Sequence, residues 1–283
     1  MRKSTKIWLG IAAFATLLGG GIFTVVMALL KWDFSKLSAH AFQMQTYIVN
    51  ESFSNVSVNL DTADIRIAPS QNESVWVECY EQEKISYSIA VQEDTLTIEL
   101  VDNRAWYDYI GINFGEPKIT AYIPQKAYDA ISLMTSTGDI YLQNISANTL
   151  NITVSTGDVS FENCDGAEIY IKTSTGDVEL RNVNCNNFTS IADTGELELN
   201  NVIATQKWHI ERDTGDVSFD SCDGAEIYIK TCTGDVEGSF KSGKHFIVTT
   251  STGDIEYPRH SMGGICEVIT STGDVELEVD AHE

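Results

Sequence analysis

"STGDVSFENCDGAEIYIKTSTGDVEL", residues 155–180, recurs as "DTGDVSFDSCDGAEIYIKTCTGDVEG" at 213–238 with five of 26 positions changed. Each copy begins and ends on a Thr-Gly-acid tripeptide. That tripeptide occurs eight times, centred on Gly138, Gly157, Gly176, Gly195, Gly215, Gly234, Gly253 and Gly273, at intervals of 19, 19, 19, 20, 19, 19 and 20 residues. A fixed period of this length with self-similar units is the mark of a solenoid. Aligned on the glycine, apolar residues stand two and four places after it (Val159 and Phe161, Val178 and Leu180) and seven and five places before it (Leu150 and Ile152, Ile169 and Ile171). Alternation by two is a β-strand with one buried face. The inward positions are odd-numbered before the glycine and even-numbered after it, so the strand must turn or bulge there. Glycine accepts positive φ without steric cost.

The rest of the unit follows from this parity. Thr137, Thr156 and their equivalents share the parity of the buried positions, so their hydroxyls are expected to bond the corner backbone. A second parity change falls at Asn144, Asn163, Asn182 and Asn201, again a residue suited to tight corners, with an apolar residue next. The two longer units keep every column, which puts their extra residues in the loops 203–207 and 258–265. The expected fold is all-β: a single-stranded parallel β-solenoid of ~19-residue rungs over 131–283. Eight units at about 4.8 Å make a rod of roughly 38 Å.

Upstream, 57–70 contains "DTADI", an imperfect copy of the motif, and Ala63 lies 75 residues before Gly138, close to four periods. Residues 46–130 therefore read as irregular early rungs that cap one end, with strands near 73–79, 86–91 and 94–101. A loop at 102–117 carries Trp106, Tyr107 and Tyr109. Residues 7–30 hold 24 residues without a charge, preceded by Arg2, Lys3 and Lys6. Such a run spans about 36 Å as a helix, enough to cross a bilayer. It is longer than the apolar core of a removable signal, which has about 7–15 residues. It reads as an uncleaved anchor, with 1–6 cytoplasmic, 31–45 a stalk and the C-terminal part outside the cell. A cleaved signal is the alternative, since Ala39–Ala41 form an Ala-x-Ala pattern.

The net charge is −23, and the first 31 residues contribute four basic residues and no acid, so the remainder carries −27. That surface argues against nucleic acid, whose binding depends on neutralising phosphates. The layout of anchor, "ADIRI", "DTLTIEL", "ITAYIPQKAYDAISLMTSTGDI" and repeated STGD[VI] resembles a family of bacterial membrane-anchored adhesins built of β-strand repeats, a domain of unknown function. The resemblance covers about residues 50–280. It implies a β-solenoid on a bacterial cell surface and carries no catalytic residue onto this chain.

The acids after the glycines form a column about 5 Å apart: Asp139, Asp158, Asp177, Glu196, Asp216, Asp235, Asp254 and Asp274. Seven aspartates in file suggest Ca²⁺, which takes several carboxylate and carbonyl oxygens. The simpler account is that each accepts a corner amide proton while water screens the charge, and no other cofactor is indicated. Thr-x-Thr pairs such as 135–137 would need an outward array to bind ice, and parity turns them inward. The five histidines show no metal-ligand spacing and no link to a nucleophile, so catalytic residues are expected to be none. Lys241, Lys244, His245, Arg259 and His260 fall on one edge as the most cationic spot, a candidate contact together with Trp106, Tyr107 and Tyr109. Most of the six cysteines read as small apolar fillers, with Cys164 and Cys185, near one corner on adjacent rungs, as the alternative pair. The expected function is a non-catalytic adhesin or envelope scaffold whose partner is an envelope protein or glycan. The alternatives are a self-associating rod, against which Glu276, Glu278, Asp280 and Glu283 argue as edge charges, and a glycan-active enzyme.

Overall fold

A computed structural model describes residues 3–33, 43–82, 84–105 and 117–280. Helix α1 (Lys3–Leu29) includes Thr5–Leu29, long and apolar enough to cross a membrane. Its two mid-span hydroxyls are hidden against the helix itself: Thr16 donates to the Ala12 carbonyl at 2.9 Å and Thr24 to that of Gly21 at 3.1 Å. Among the described residues every other element is a strand, and these 19 join one sheet.

The first seven strands are β1 (Gln43–Val49), β2 (Asn55–Thr62), β3 (Asp64–Pro69), β4 (Val75–Glu81), β5 (Ile85–Gln92), β6 (Thr95–Asp102) and β7 (Lys118–Ile123). The regular coils follow as β8 (Ala127–Thr137), β9 (Ile140–Gln143), β10 (Ser146–Thr156), β11 (Val159–Thr175), β12 (Val178–Thr194), β13 (Leu197–Thr214) and β14 (Val217–Thr233). The chain closes with β15 (Val236–Phe240), β16 (Lys244–Thr252), β17 (Ile255–Glu256), β18 (Gly264–Thr272) and β19 (Val275–Val279). From β8 to β14 each rung pairs in parallel with the next, residue i against i+19, as in Val159 with Val178 and Ile169 with Phe188. The one slip lies between Ala204 and Lys207, where the first longer unit places its extra residue.

The corners are those the parity demands. Gly176 has φ 141°, and a Cβ there would lie 2.0 Å from the Gly157 carbonyl oxygen, so both conformation and stacking exclude a side chain. Asn144, Asn163, Asn182 and Asn201 all sit at φ 54°. The predicted inward columns are buried: Val159, Phe161, Ile171, Val178 and Leu180 are at most 1% exposed. Each such side chain stabilises by about 1.5–3 kcal/mol. Threonine behaves differently from expectation. Thr137 and Thr156 are exposed, because the strand bends outward one residue before the glycine. The bonding hydroxyl belongs to the preceding buried threonine, as in Thr135 to Ala63 O at 3.2 Å and Thr231 to Gly234 O at 3.2 Å.

Both ends of the stack depart from chain order. At the N-terminal end the Ala63 corner lies directly on the Gly138 corner, β2 pairing with β8 and β3 with β9. The 74 intervening residues therefore do not fill four periods. They leave the stack to form the rung β6–β7 on the far side of β2–β3, with β4 and β5 antiparallel to it and β1 antiparallel to β4. Strand β1 begins at Gln43, so the last residues assigned to the stalk belong to the sheet. At the C-terminal end β18–β19 pairs with both β14–β15 and β16–β17, sandwiched between them. The outermost rung is β16–β17, and it covers Glu276 but stops short of Glu278, which pairs only with Ser239 of β15.

Two cationic side chains enter the core with accommodation around them. Arg212, 2% exposed, stands in the buried threonine column; its Nη1 donates to Gly195 O at 3.1 Å and its Nη2 to Ser190 Oγ at 3.2 Å. Ser190 and Ala192, small residues on the adjacent rung, leave its room. Burial pushes this guanidinium down to about 10. Lys244, 1% exposed, pairs with Asp223 and donates to Ser242 Oγ at 2.6 Å. All six cysteines are free, five buried and Cys232 exposed, so Cys164 and Cys185 do not join.

Candidate functional site

Backbone and acid column form one ladder. Gly138 N–H donates to Thr156 O at 3.0 Å, and Ile140 N–H to Asp158 O at 2.8 Å, a pattern repeated rung by rung. Antiparallel to it in sense, each acid's N–H donates to the carboxylate before it: Asp158 to Asp139 Oδ1, Asp177 to Asp158 and Glu196 to Asp177, each at 2.8 Å. The ladder resumes from Asp216 through Asp235 and Asp274 to Asp254, following spatial rather than chain order. One oxygen of most of these carboxylates is thus committed to backbone. Among the described residues no group of three His, Cys, Asp or Glu side chains is placed to hold a metal ion.

A second outward file runs along the face formed before the glycine corners. Tyr170, Thr189, His209 and Tyr228 stand in register on successive rungs. His209 and Tyr228 stack with ring centroids 5.2 Å apart at 11°, and His209 Nε2 lies 3.3 Å from Glu211 Oε1. Lys207, Glu211, Glu226 and half-exposed Ile265 complete a cleft of about 370 Å³ around these rings. It is shallow, aromatic and edged with both signs of charge, a combination suited to stacking a ring and hydrogen-bonding its substituents. The sequence repeats Tyr170 and Lys172 as Tyr228 and Lys230, a pattern that by itself reads only as surface cover of this face. His209 could not be joined to Tyr228 without knowing that their rungs are neighbours. A larger hollow of about 540 Å³ lies among the loops near Phe53, Asn72 and Pro124. Its cation, Lys126, is spent on the Phe53 carbonyl and lies over the Phe53 and Tyr128 rings.

The cationic cluster expected from sequence is only partly a surface. Lys244 is in the core, and Lys241 Nζ bonds Asn201 Oδ1. His245, Arg259 and His260 are exposed, on β16 and in the turn after β17. They rim the outermost rung, where inward positions are uncovered: Ile255 is 41% exposed, whereas Val275 one rung inside is 1%. An aromatic file, Trp208–Phe219–Phe240–Phe246–Tyr257, runs through the core to this end with successive centroids 4.6–6.1 Å apart. Trp106, Tyr107 and Tyr109 lie outside the described residues.

A solved structure described as a "putative adhesin" from Bacteroides fragilis shares 17% identity over 84% of this chain and 97% of its own, with a TM-score of 0.55. Another "putative adhesin", from Parabacteroides distasonis, shares 10% over 84% and 98%, with a TM-score of 0.50. At these identities the likeness is one of fold. No curated protein matches the sequence. The Toastrack DUF4097 family model matches residues 53–205 and again 167–283, taking in the cap, the regular coils and both displaced ends. The chain belongs to the Toastrack DUF4097 family.

Proposed function

We propose that this protein is a non-catalytic adhesin or scaffold module of the cell envelope. Helix α1 holds it in the membrane with residues 1–6 cytoplasmic, and the solenoid stands outside and binds a glycan. The observation that carries this reading is the in-register outward file ending in the His209–Tyr228 stack, with carboxylates and an amine within its cleft. Stacked aromatic faces flanked by hydrogen-bonding groups recognise sugar rings without any reactive group. The outward acids favour this reading over catalysis, because they recur evenly along the coils. Binding of the detergent-solubilised full chain to purified cell-wall glycan tests it. Retention by the glycan that drops about tenfold in Tyr228→Ala supports the proposal. Failure of the wild-type chain to be retained, or equal retention of the variant, overturns it.

A second reading, a self-associating rod, is favoured by uncovered Ile255 on the outermost rung. Sedimentation of the full chain in detergent at rising concentration separates the two. A persistent monomer removes the rod.

A further inference from the structure

The outer face of β1, β4 and β7 departs from the polar, acidic rule of the solenoid. Met44 and Ile48 of β1 are 57% and 72% exposed, and Tyr80 of β4 is 39% exposed. Register joins them to neighbours of the same character. Met44 stands opposite Tyr80, Ile48 opposite Trp76, and Trp76 opposite Tyr122. Trp76 and Tyr122 stack with centroids 4.7 Å apart at 18°. The one carboxylate among these positions is the half-buried Glu78; Thr46 and Thr120 flank it.

What covers this face follows from where it sits in the chain. Strand β1 is the first strand after α1, and Leu29 and Gln43 are 14 residues apart. An extended chain of that length reaches at most about 50 Å, so this edge stays tethered within that distance of whatever α1 enters. Tethering of that kind makes even weak contact effectively intramolecular. Trp and Tyr, with apolar bodies and polar tips, favour the headgroup level of a bilayer, and an exposed apolar patch of this extent marks an interaction site. We propose that the Met44–Ile48–Trp76–Tyr80–Tyr122 face rests on the lipid headgroup layer of the membrane that α1 spans, setting how the solenoid stands on the cell. This rests on the anchor reading of α1 proposed above.

The full chain reconstituted in phosphatidylcholine vesicles, brominated near the headgroup end of the acyl chains, tests the inference and its premise separately. The emission lost in Trp8→Phe reports the anchor, and that lost in Trp76→Phe reports the face. Expected is quenching of both, with Trp76's share falling by about half or more at interfacial depth. The double variant Met44→Asp/Ile48→Asp, its β signal intact by circular dichroism, should restore Trp76 emission and leave Trp8 quenched. Quenched Trp8 with unquenched Trp76 overturns the proposal while the anchor stands, and leaves the face to a protein partner. Unquenched Trp8 overturns both.

Discussion

The two ends of the solenoid are finished by opposite devices. At the N-terminal end the last parallel rung, β6–β7, is covered by strands running the other way, and Leu96, Ile98, Ile119 and Ala121 are fully buried. At the C-terminal end the last rung runs parallel to all the others, and Ile255 stands 41% exposed. The contrast shows what a repeat cannot do for itself. A parallel coil offers at its edge the same donors, acceptors and apolar columns it has just received, so addition never completes it. Only a change of strand direction, and with it a different sequence, closes the core.

Alkaline pH should reverse that ranking and gives the largest expected effect. The closed end groups three protons held by the fold on strands β1, β4 and β5, whereas the coil thiols Cys164, Cys185, Cys222 and Cys266, also raised by burial, stand on separate strands. Burial pushes Cys79 up to about 12, and the hydrogen bond that Tyr47 donates to Glu81 holds its phenol at about 12. Burial likewise raises Tyr87. The native state therefore keeps protons that the unfolded chain releases, so stability is complete below about pH 9 and is lost as pH rises from 9 toward 12. Each buried thiol contributes about 1.4 kcal/mol of that loss per pH unit. Near-ultraviolet dichroism from the Trp76–Tyr122 stack should disappear before the β signal of the coils. Cys79→Val should move that first step to higher pH. A single transition insensitive to Cys79 would mean the cap is not the alkaline weak point.

Corner glycines sharpen the same contrast by substitution. Alanine at Gly176 meets both a φ of 141° and the Gly157 carbonyl, with rungs fixed on either side. Strain and overlap together should cost about 3 kcal/mol or more. Gly253 has nearly the same geometry, its Cβ 2.1 Å from Gly273 O, but its rung is outermost and can move away. Gly253→Ala should lower the thermal midpoint far less and speed hydrogen exchange only in β16–β17. Equal losses at the two sites would show that the end rung is as rigid as the middle.

Besides its ladder to β18–β19, the end rung is fastened by the Lys244–Asp223 pair, reaching from β16 past Gly264 of β18 to the β14 segment. Burial opposes the charge on Asp223, yet the bonds from Lys244 and Ser242 keep its carboxyl below the ordinary range. Asp223→Ala leaves a buried ammonium and should cost about 2–3 kcal/mol, discounted for the partial exposure of the carboxylate. Lys244→Met, of similar volume, should cost much less. The measurement is a chemical melt of both variants, and a Lys244→Met loss as large as that of Asp223→Ala would assign the energy to the pair itself.

The regular part of the fold was legible because each of its features is forced by local geometry. A parity change at Gly157 and another at Asn163 admit few backbones, and the period fixes the neighbour. The order of the last rungs was not legible. Ile255 and Val275 occupy the same column, so either rung fits on the one ending in Val236 and the spacing is indifferent to which comes first. Lys244 read as a surface cation because its partner is two rungs away in space and 21 residues away in sequence. Thr137 read as inward because alternation was extended one residue past the point where the strand bends. The outward candidates suffered from the same gap: a Tyr-Lys repeat is visible in one dimension, a His209–Tyr228 stack only in two.

The smallest expected effect tests the acid ladder within the regular region. Asp139, Asp158 and Asp177 each accept the next rung's N–H, but Glu196, one methylene longer, accepts no such bond from Asp216 among the described residues. Glu196→Asp shortens the side chain to the length that works at the other corners and keeps the charge unchanged. It should stabilise by about 0.5–1 kcal/mol, the value of one exposed amide–carboxylate bond. A raised thermal midpoint together with slower exchange of the Asp216 amide is the expected signature. Millimolar Ca²⁺ should leave both wild type and variant where they are, since the oxygen that the ladder uses is not free for a cation. If Ca²⁺ instead raises the midpoint in proportion to the number of aspartates in the column, the carboxylates serve a metal and the ladder is secondary to it.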